Sequence, residues 1–193
     1  CTVGIFLWVA NELSFDRFHT KADRIFQVEL ILRQYEKSVV TPGPLAEALK
    51  QEYPEVVNAS RYTFRSEPEV VKIGDKQING RGAKTDAAFF SMFDFQFASG
   101  NSLGFSGNSV IVTQALADRL FDGADPIGDL VTVGSSGTYQ VSAVLADLPQ
   151  NSSFQFDFII PFEQTSYQDE SRAWGAWFCA TFIELDAKAT ASS

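Results

Sequence analysis

The sequence predicts an α+β fold in which a β-α-β layer is joined to a second, strand-rich part. Three observations support this prediction. Residues 27–64 change from a strand pattern to a helix pattern and back. Residues 109–149 hold an apolar strand, a short helix and two strands around a glycine-rich loop. Between them, residues 95–107 are rich in Gly, Ser and Asn, which is typical of a connection between subdomains.

The first ten residues, CTVGIFLWVA, form an apolar run, which is about half of the ~20 residues that cross a bilayer as a helix. Trp8 lies near the polar end of this run, as is common at a membrane interface. These residues alone favour two interpretations equally: the end of a transmembrane helix at residues 1–13, or a buried N-terminal strand or helix of a soluble protein. In the charged segment that follows, Ser14 is placed to cap a helix in which Phe15 and Phe18 share one face.

The first layer comes next in the chain. Residues 27–32, QVELIL, have the pattern of a strand. Pro44 is placed to begin the helix LAEALKQEY, and Pro54 is placed to end it. Residues 56–64 predict a second strand, which would be parallel to the first if the two are neighbours.

A hairpin and a short helix follow. Residues 70–73 and 77–85 flank Gly74-Asp75-Lys76, which is a hairpin signal. Asp86 is placed to cap the helix AAFFSMF.

The strand-rich part is expected to form a lobe of its own, at about residues 100–177. The pattern predicts strands at 110–113, 130–133 and 139–145, a helix at 114–121, a hairpin tip at 134–137, and a strand at 154–160 with Phe154, Phe156 and Phe158 on one face. A late strand near 181–185 is expected to return to the first layer. The 18 Phe residues spread along the chain predict several small cores filled with rings.

The residues that carry chemistry in other proteins are sparse here. His19 is the only histidine, which excludes a multi-histidine metal site, and its charged surroundings predict a surface position. Cys1 and Cys179 are too far apart to indicate a metal site, and Cys179 is expected to be a small buried hydrophobe. Four aspartates lack the ligand spacing of a calcium loop: Asp118, Asp122, Asp125 and Asp129. We expect no metal and no cofactor.

Two further features bear on partners. The net charge of -9 excludes a nucleic-acid partner, because phosphate binding needs clustered Lys and Arg. Trp174, Trp177 and Phe178 form an aromatic group that is either a packed subdomain boundary or a surface for a ligand or partner. Glu163 and Asp169 are carboxylates whose separation the sequence does not define, so a hydrolase pair is a weaker hypothesis.

Four motifs occur in a recognisable order and spacing: NELSFDRFHTKADRIF, MFDFQFASG, VTQALADRLFDGADPIGDLVTV and YQVSAVLADLPQNSSFQFDFIIP. Together they resemble the extracytoplasmic domain of MacB-type, or FtsX-like, ABC transporter permeases over about residues 4–187. The resemblance implies that residues 1–13 end a transmembrane helix. It also implies a porter-like subdomain at 14–99, an inserted sabre-like subdomain at 100–177, and a second, truncated porter-like part at 178–193.

The resemblance also implies a mechanical function, with no catalytic residues. A separate cytoplasmic ABC ATPase subunit would drive movement through the membrane part to this domain, which would act on a substrate or partner outside the bacterial cytoplasmic (inner) membrane. The partners implied are that ATPase and a second permease copy or homologous half. Trp8, Ser14, Phe15 and Phe18 would couple the membrane helix to the domain.

Two other function classes remain open at this point. One is a stand-alone extracytoplasmic binding module that uses Trp174, Trp177 and Phe178. The other is an acidic secreted hydrolase that uses carboxylates such as Glu163 and Asp169.

Overall fold

A computed structural model describes residues 19–32, 36–64, 67–162 and 173–189. The predictions for residues 1–13 and for Trp8, Ser14, Phe15 and Phe18 lie outside the described residues, as do those for Glu163 and Asp169. Within the described ranges, no helix is long and apolar enough to cross a membrane.

The described residues form fourteen strands, three α-helices and a short 3₁₀ turn at Ser102–Gly104. The helices are α1 (Leu45–Glu52), α2 (Phe89–Met92) and α3 (Gln114–Phe121). The strands are β1 (Ile25–Gln27), β2 (Leu30–Leu32), β3 (Glu36–Ser38), β4 (Thr41–Pro42), β5 (Val56–Phe64), β6 (Glu69–Ile73), β7 (Lys76–Gly80), β8 (Gly82–Thr85), β9 (Phe97–Gly100), β10 (Ser109–Thr113), β11 (Leu130–Val133), β12 (Gly137–Leu145), β13 (Phe158–Pro161) and β14 (Trp177–Leu185).

Most of these strands belong to one mixed sheet of 12 strands. Its order is β1-β14-β5-β8-β13-β10-β12-β11-β6-β7, with β4 beside β14 and β9 beside β12, while β2 and β3 form a separate pair. This architecture confirms the α+β class. Four strands from 100–177, namely β13, β10, β12 and β11, are consecutive in this sheet and have strands from 14–99 on both sides. The division into porter-like and sabre-like parts stays a prediction.

The predicted β-α-β unit is present, but its two strands are separated in the sheet by a third strand. β1 and β5 each pair antiparallel with β14, so they run parallel to one another with β14 between them. The prediction of one strand over 27–32 was wrong, because this stretch divides between two sheets. β1 pairs with β14, whereas β2 turns away to pair with β3.

The central strands are buried on both faces. One face packs under α3 and forms what we call the α3 cluster: Val71, Val110, Val112, Leu116, Ala117, Leu120, Phe121, Val131, Val133, Tyr139, Val141, Val144, Phe158 and Ile160. The other face forms the phenylalanine cluster: Tyr62, Ala83, Phe89, Met92, Phe93, Phe105, Ile111, Ala143, Leu145, Phe154, Phe156 and Ile159. Successive residues of β10 and β13 contribute to opposite clusters, as the two-residue period of a strand requires.

Several local predictions are confirmed. Helix α3 spans the predicted residues, and the Thr113 hydroxyl at its N-cap accepts a hydrogen bond from Leu116 N. It ends at Asp122, whose φ of 53° is left-handed. Pro44 and Tyr53 bound α1. The β6–β7 hairpin turns at Gly74-Asp75 and the β11–β12 hairpin at residues 134–136.

Four details differ from the predictions. The second hairpin strand divides at Arg81, after which β8 joins β5 and β13 instead. The connection at 95–107 contains β9, which pairs with β12. The strand predicted at 154–160 begins at Phe158, and Phe158 lies in the α3 cluster whereas Phe154 and Phe156 lie in the phenylalanine cluster.

The fourth difference concerns Asp86, which does not cap a helix through its side chain. Helix α2 follows Ala88 without a side-chain cap. The Asp86 carboxylate instead accepts hydrogen bonds from Arg61 at N (2.8 Å), Nε (2.9 Å) and Nη2 (2.6 Å). A bidentate hydrogen bond to a charged guanidinium is stronger than a neutral capping hydrogen bond. The Asp86 carboxylate therefore pairs with Arg61 instead of capping α2.

Candidate functional site

The two ends of the described chain meet at one end of the sheet. β1 pairs with the last residues of β14, with Ile25 opposite Glu184. The residues before β1 form a turn, residues 19–24, which we call the 19–24 turn. Leu185 N donates a hydrogen bond to Arg24 O across 2.9 Å, so the turn is tied directly to the point where β14 ends.

Glu184 is the centre of this junction. Only 3% of its side chain is exposed, and its carboxylate lies 3.1 Å from Lys21 Nζ and 3.7 Å from Arg24 Nη2. Asn58 Nδ2 on β5 also donates to Glu184 Oε2 at 2.8 Å. A buried carboxylate is stable only when such partners replace its water. Glu184 therefore links the 19–24 turn, β14 and β5 in one set of contacts.

His19 anchors the start of the turn in the core. Its ring is 3% exposed and makes edge contacts with Phe93 (5.1 Å between centroids), Phe95 (5.9 Å) and Phe154 (6.5 Å). Asp94 N donates to His19 Nδ1 at 2.9 Å. The prediction of a surface histidine was wrong, because the three rings that enclose it come from distant parts of the chain.

Thr20 and Lys21 add polar contacts to the α2 region. Thr20 N donates to the Asp94 carboxylate, and Lys21 Nζ donates to Ser91 O at 2.7 Å. Burial disfavours the Asp94 carboxylate, but the hydrogen bonds from Thr20 and the charges of His19 and Lys21 outweigh it and lower the pKa of Asp94. The turn is thus held by charge as well as by packing.

A small groove opens beside the turn. It has a volume of about 180 Å³ and is lined by His19, Ala22, Ile25, Gln27, Phe93, Ser153, Phe154 and Phe182. We call it the His19 groove. Its walls are mainly apolar and combine the 19–24 turn, the edge of the phenylalanine cluster and β14.

A second polar group lies farther along β5. The Arg61 guanidinium pairs with Asp86 and lies 4.7 Å from the centre of the Phe162 ring. Burial disfavours the charged guanidinium, but the hydrogen bonds and charge of Asp86 outweigh it and raise the pKa of Arg61. Cys179 is buried as predicted, and its burial raises the pKa of the thiol.

The three aromatic residues that were predicted as a surface differ in their exposure. Trp174 is 57% exposed and Trp177 is 41% exposed, and Trp177 Nε1 donates to Trp174 O at 3.2 Å. Phe178 is less exposed, and its ring lies 6.1 Å from that of Phe162. Val39 and Val40, which are also exposed, precede β4, where Pro42 pairs with Trp177. We call Trp174, Trp177, Val39 and Val40 the tryptophan surface.

The aspartates take structural roles. Asp118 accepts from Gln114 Nε2 on the surface of α3, and Asp125 accepts from Ile127 N in a turn. Asp122 pairs with Lys76. In the ranges that the structure describes, no group of three or more His, Cys, Asp or Glu side chains is placed to hold a metal ion.

The sequence did not indicate Glu184, Lys21, Arg24 and Asn58 as a site. Lys21 and Glu184 are 163 residues apart in the sequence. The four residues come together because β14 lies between β1 and β5 in the sheet. No local spacing carries that information.

Comparisons with known proteins agree with this fold. The family model of MacB-like periplasmic core domains matches residues 1–193. A domain of a candidate permease protein from Porphyromonas gingivalis has a TM-score of 0.77 at 22% identity, covering 90% of this chain and 80% of that one. No curated protein sequence matches the chain significantly.

Two further solved structures share the fold. The periplasmic region of MacB from Actinobacillus actinomycetemcomitans has a TM-score of 0.64 at 9% identity, covering 89% of this chain and 78% of that one. The extracellular domain of the noncanonic ABC-type transporter YknZ from Gram-positive bacteria has a TM-score of 0.60 at 11% identity, covering 86% and 83%.

Proposed function

This chain belongs to the MacB-like periplasmic core domain family and is an extracytoplasmic domain of an ABC transporter permease, and from this premise we propose that it transmits ATP-driven motion to a substrate or partner outside the cytoplasmic membrane. ATP would be hydrolysed by a separate cytoplasmic subunit. We expect the isolated domain to have no ATPase activity.

The observation that supports this proposal is the junction at Glu184. A domain that is moved through the segment before His19 needs that segment to be firmly joined to its sheet. Here the 19–24 turn and the end of β14 are joined by strand pairing, by the Leu185–Arg24 hydrogen bond and by the buried Glu184 contacts. A displacement of the 19–24 turn would therefore shift β14 and, through β5, the rest of the sheet.

The proposal includes the arrangement of the full protein. Residues 1–13 would end a membrane helix, and Trp8, Ser14, Phe15 and Phe18 would lead from it to the 19–24 turn. Residues 14–99 and 178–193 would form the porter-like part, and 100–177 the sabre-like part. A second permease copy, or a homologous half, would stand beside this one in the bacterial inner membrane.

The tryptophan surface is a proposed contact for a partner or ligand. Trp177 and Glu184 lie seven residues apart on strand β14, so they are about 23 Å from one another. If the Glu184 end faces the membrane, Trp174 and Trp177 face away from it. Exposed tryptophans in an apolar patch are typical of protein interaction surfaces, and Phe178 would support them from below.

Nucleotide-dependent movement of the domain tests the function. In the full-length permease reconstituted with its ATPase, Leu103, which is 93% exposed, is changed to Cys and spin-labelled, with Cys1 replaced by Ser. Cys179 is buried and should not react. We expect the distance between the labels of the two copies to change when vanadate traps the ATPase.

The Glu184→Gln variant tests the junction in the same assay. It keeps the shape of the side chain but removes the charge that pairs with Lys21 and Arg24. We expect ATP hydrolysis to continue while the change in label distance becomes smaller. Identical distances with and without trapped nucleotide in the unmodified junction would disprove the mechanical function.

A further inference from the structure

A broad groove opens on the side of the sheet that faces away from α3. It has a volume of about 640 Å³. Tyr139 and Val141 on β12 belong to the α3 cluster. Thr138 and Gln140 alternate with them along the strand and therefore point to the opposite side. Eight residues line the groove, and we call them the uncharged face: Gly104, Ser106, Asn108, Ser109, Leu130, Thr138, Gln140 and Ser142.

The lack of charge extends well beyond the groove itself. Residues 95–117 and 130–146 contain no Asp, Glu, Lys or Arg, although 20% of the chain is charged. These two runs supply all eight residues of the uncharged face. The net charge of -9 therefore comes from other parts of the chain. The uncharged face is a neutral surface on a strongly acidic domain.

Polar groups of this face are available to an external partner. The Ser109 hydroxyl is used within the domain, where it accepts a hydrogen bond from Ser106 N at 3.0 Å. The Ser106 hydroxyl and the Asn108 side-chain amide, by contrast, have no hydrogen-bond partner within the described ranges. Both groups can donate as well as accept. Leu130, which is 61% exposed, adds apolar surface beside them.

We propose that two copies of this domain contact each other through the uncharged face. A two-fold contact places a surface against the same surface of the second copy. Because each copy has a net charge of -9, a contact made through the charged surface would place like charges opposite each other. The uncharged face avoids this repulsion. Its hydroxyl and amide groups are also complementary to themselves, since each both donates and accepts.

The proposal rests on the proposed function, which includes a second permease copy, and it assigns the contact between copies to one side of the sheet. Helix α3 would then lie on the outer side, away from the second copy. A basic partner would be attracted to the acidic remainder of the domain instead. The charge distribution therefore favours a second copy over a partner of opposite charge at this face.

Cross-linking in the full-length permease tests the contact. Cys1 is replaced by Ser, and Thr138 is changed to Cys on the uncharged face. We expect a short bismaleimide to link the two copies through this position. Arg119→Cys is the matched control, because Arg119 is exposed on α3, on the other side of the sheet. It should give little linkage between copies.

A single added charge tests the electrostatic argument. Asn108→Asp has nearly the same shape and breaks no hydrogen bond within the described ranges, so the midpoint of thermal unfolding should not change. In the Thr138→Cys background it should slow linkage about tenfold at low salt, because it places like charges at the contact. High salt should restore much of the linkage, since ions screen exposed charges. Asn108→Gln stays neutral and should link at the unmodified rate.

Equal linkage at Thr138 and Arg119, or a linked product that contains a different protein in place of the second copy, would overturn the proposal. So would an Asn108→Asp variant that links as fast as Asn108→Gln at low salt. A label distance that changes with trapped nucleotide while Thr138→Cys fails to link would remove this contact and leave the mechanical function in place.

Discussion

At the scale of single residues, two carboxylates of the described chain, on Glu184 and Asp86, are each surrounded by several hydrogen-bond or ion-pair partners. Glu184 has Lys21, Arg24 and Asn58, and Asp86 has three donors on Arg61. Removing one member of such a set leaves the others buried without compensation, which costs more than the set itself contributes. These groups therefore act as fixed points that hold β14 and β5 in register with their neighbours.

Asp94 predicts how the junction responds to acid. Its pKa is lowered below the usual value of 3.8 in the folded domain. Its contribution to stability is therefore fully present above that usual value and is lost as pH falls through the lower, folded pKa. We expect Asp94→Asn to be less stable than the unmodified domain at pH 7 and to lose less stability between about pH 4 and pH 2.

Thermal unfolding at a series of pH values measures this difference. Asp129→Asn, at an exposed carboxylate, is the control and should follow the unmodified curve. Parallel curves for Asp94→Asn and the unmodified domain would show that Asp94 has no folded-state partner.

Residue-level prediction from the sequence succeeded where the determining contacts are local. Asp118, Asp125 and Cys179 have the predicted roles because a helix surface, an Asx turn and an apolar strand are visible within a few residues. The predictions for His19 and Asp86 were wrong because the partners of these residues are distant in sequence. His19 contacts three phenylalanine rings, and Asp86 pairs with Arg61. The Glu184 contacts could not be predicted at all for the same reason.

At the scale of elements, the sheet contains close approaches that only glycine permits. Gly82 on β8 is directly opposite Phe158 on β13. A Cβ atom at Gly82 would lie 2.6 Å from Phe158 Cζ and 2.8 Å from Cε2. The Phe158 ring is fully buried in the α3 cluster, so it has little room to move away.

Gly82→Ala is therefore expected to destabilise the domain by about 1–3 kcal/mol through overpacking. Gly104→Ala is the control, because the nearest atom to its added Cβ would be Ser142 Cβ at 3.9 Å, and it should change stability by less than about 0.5 kcal/mol. Chemical denaturation of the two variants measures the difference. Equal stabilities would mean that the Phe158 ring relaxes freely.

Element prediction was accurate for segments with strong capping and turn residues. Helix α3 begins after Thr113 and ends before Gly123, and both boundaries are readable from the sequence. The prediction of one strand over 27–32 was wrong because the apolar pattern of this stretch is the same for one continuous strand and for two short strands. The partner of β1 is β14, which comes from the other end of the sequence, so the local pattern could not show this pairing.

At the scale of the whole molecule, phenylalanine rings concentrate on one side of the sheet. The phenylalanine cluster holds Phe89, Phe93, Phe105, Phe154 and Phe156, whereas the α3 cluster is mainly aliphatic. The composition predicted several small cores filled with rings, but within the described ranges most phenylalanine rings gather in or against one cluster. The aromatic face is also the face on which His19 and the 19–24 turn are seated.

Deletion of residues 1–10 tests whether the apolar run belongs to this core. We expect the midpoint of thermal unfolding to stay nearly unchanged and solubility to improve, because a run that belongs to a membrane helix contributes no packing to the core of the domain. Detergent binding by the undeleted chain should disappear with the deletion. If the shortened chain unfolds instead, the run is part of a soluble core and the membrane assignment is wrong.

The position of β14 also governs when the domain can fold. It is the last described strand in sequence, yet it separates β1 from β5 in the sheet. During synthesis, β1 therefore lacks its β14 partner until residues 177–185 have left the ribosome. Such long-range pairing slows folding, so we expect β1 and β5 to stay unjoined until β14 has been made.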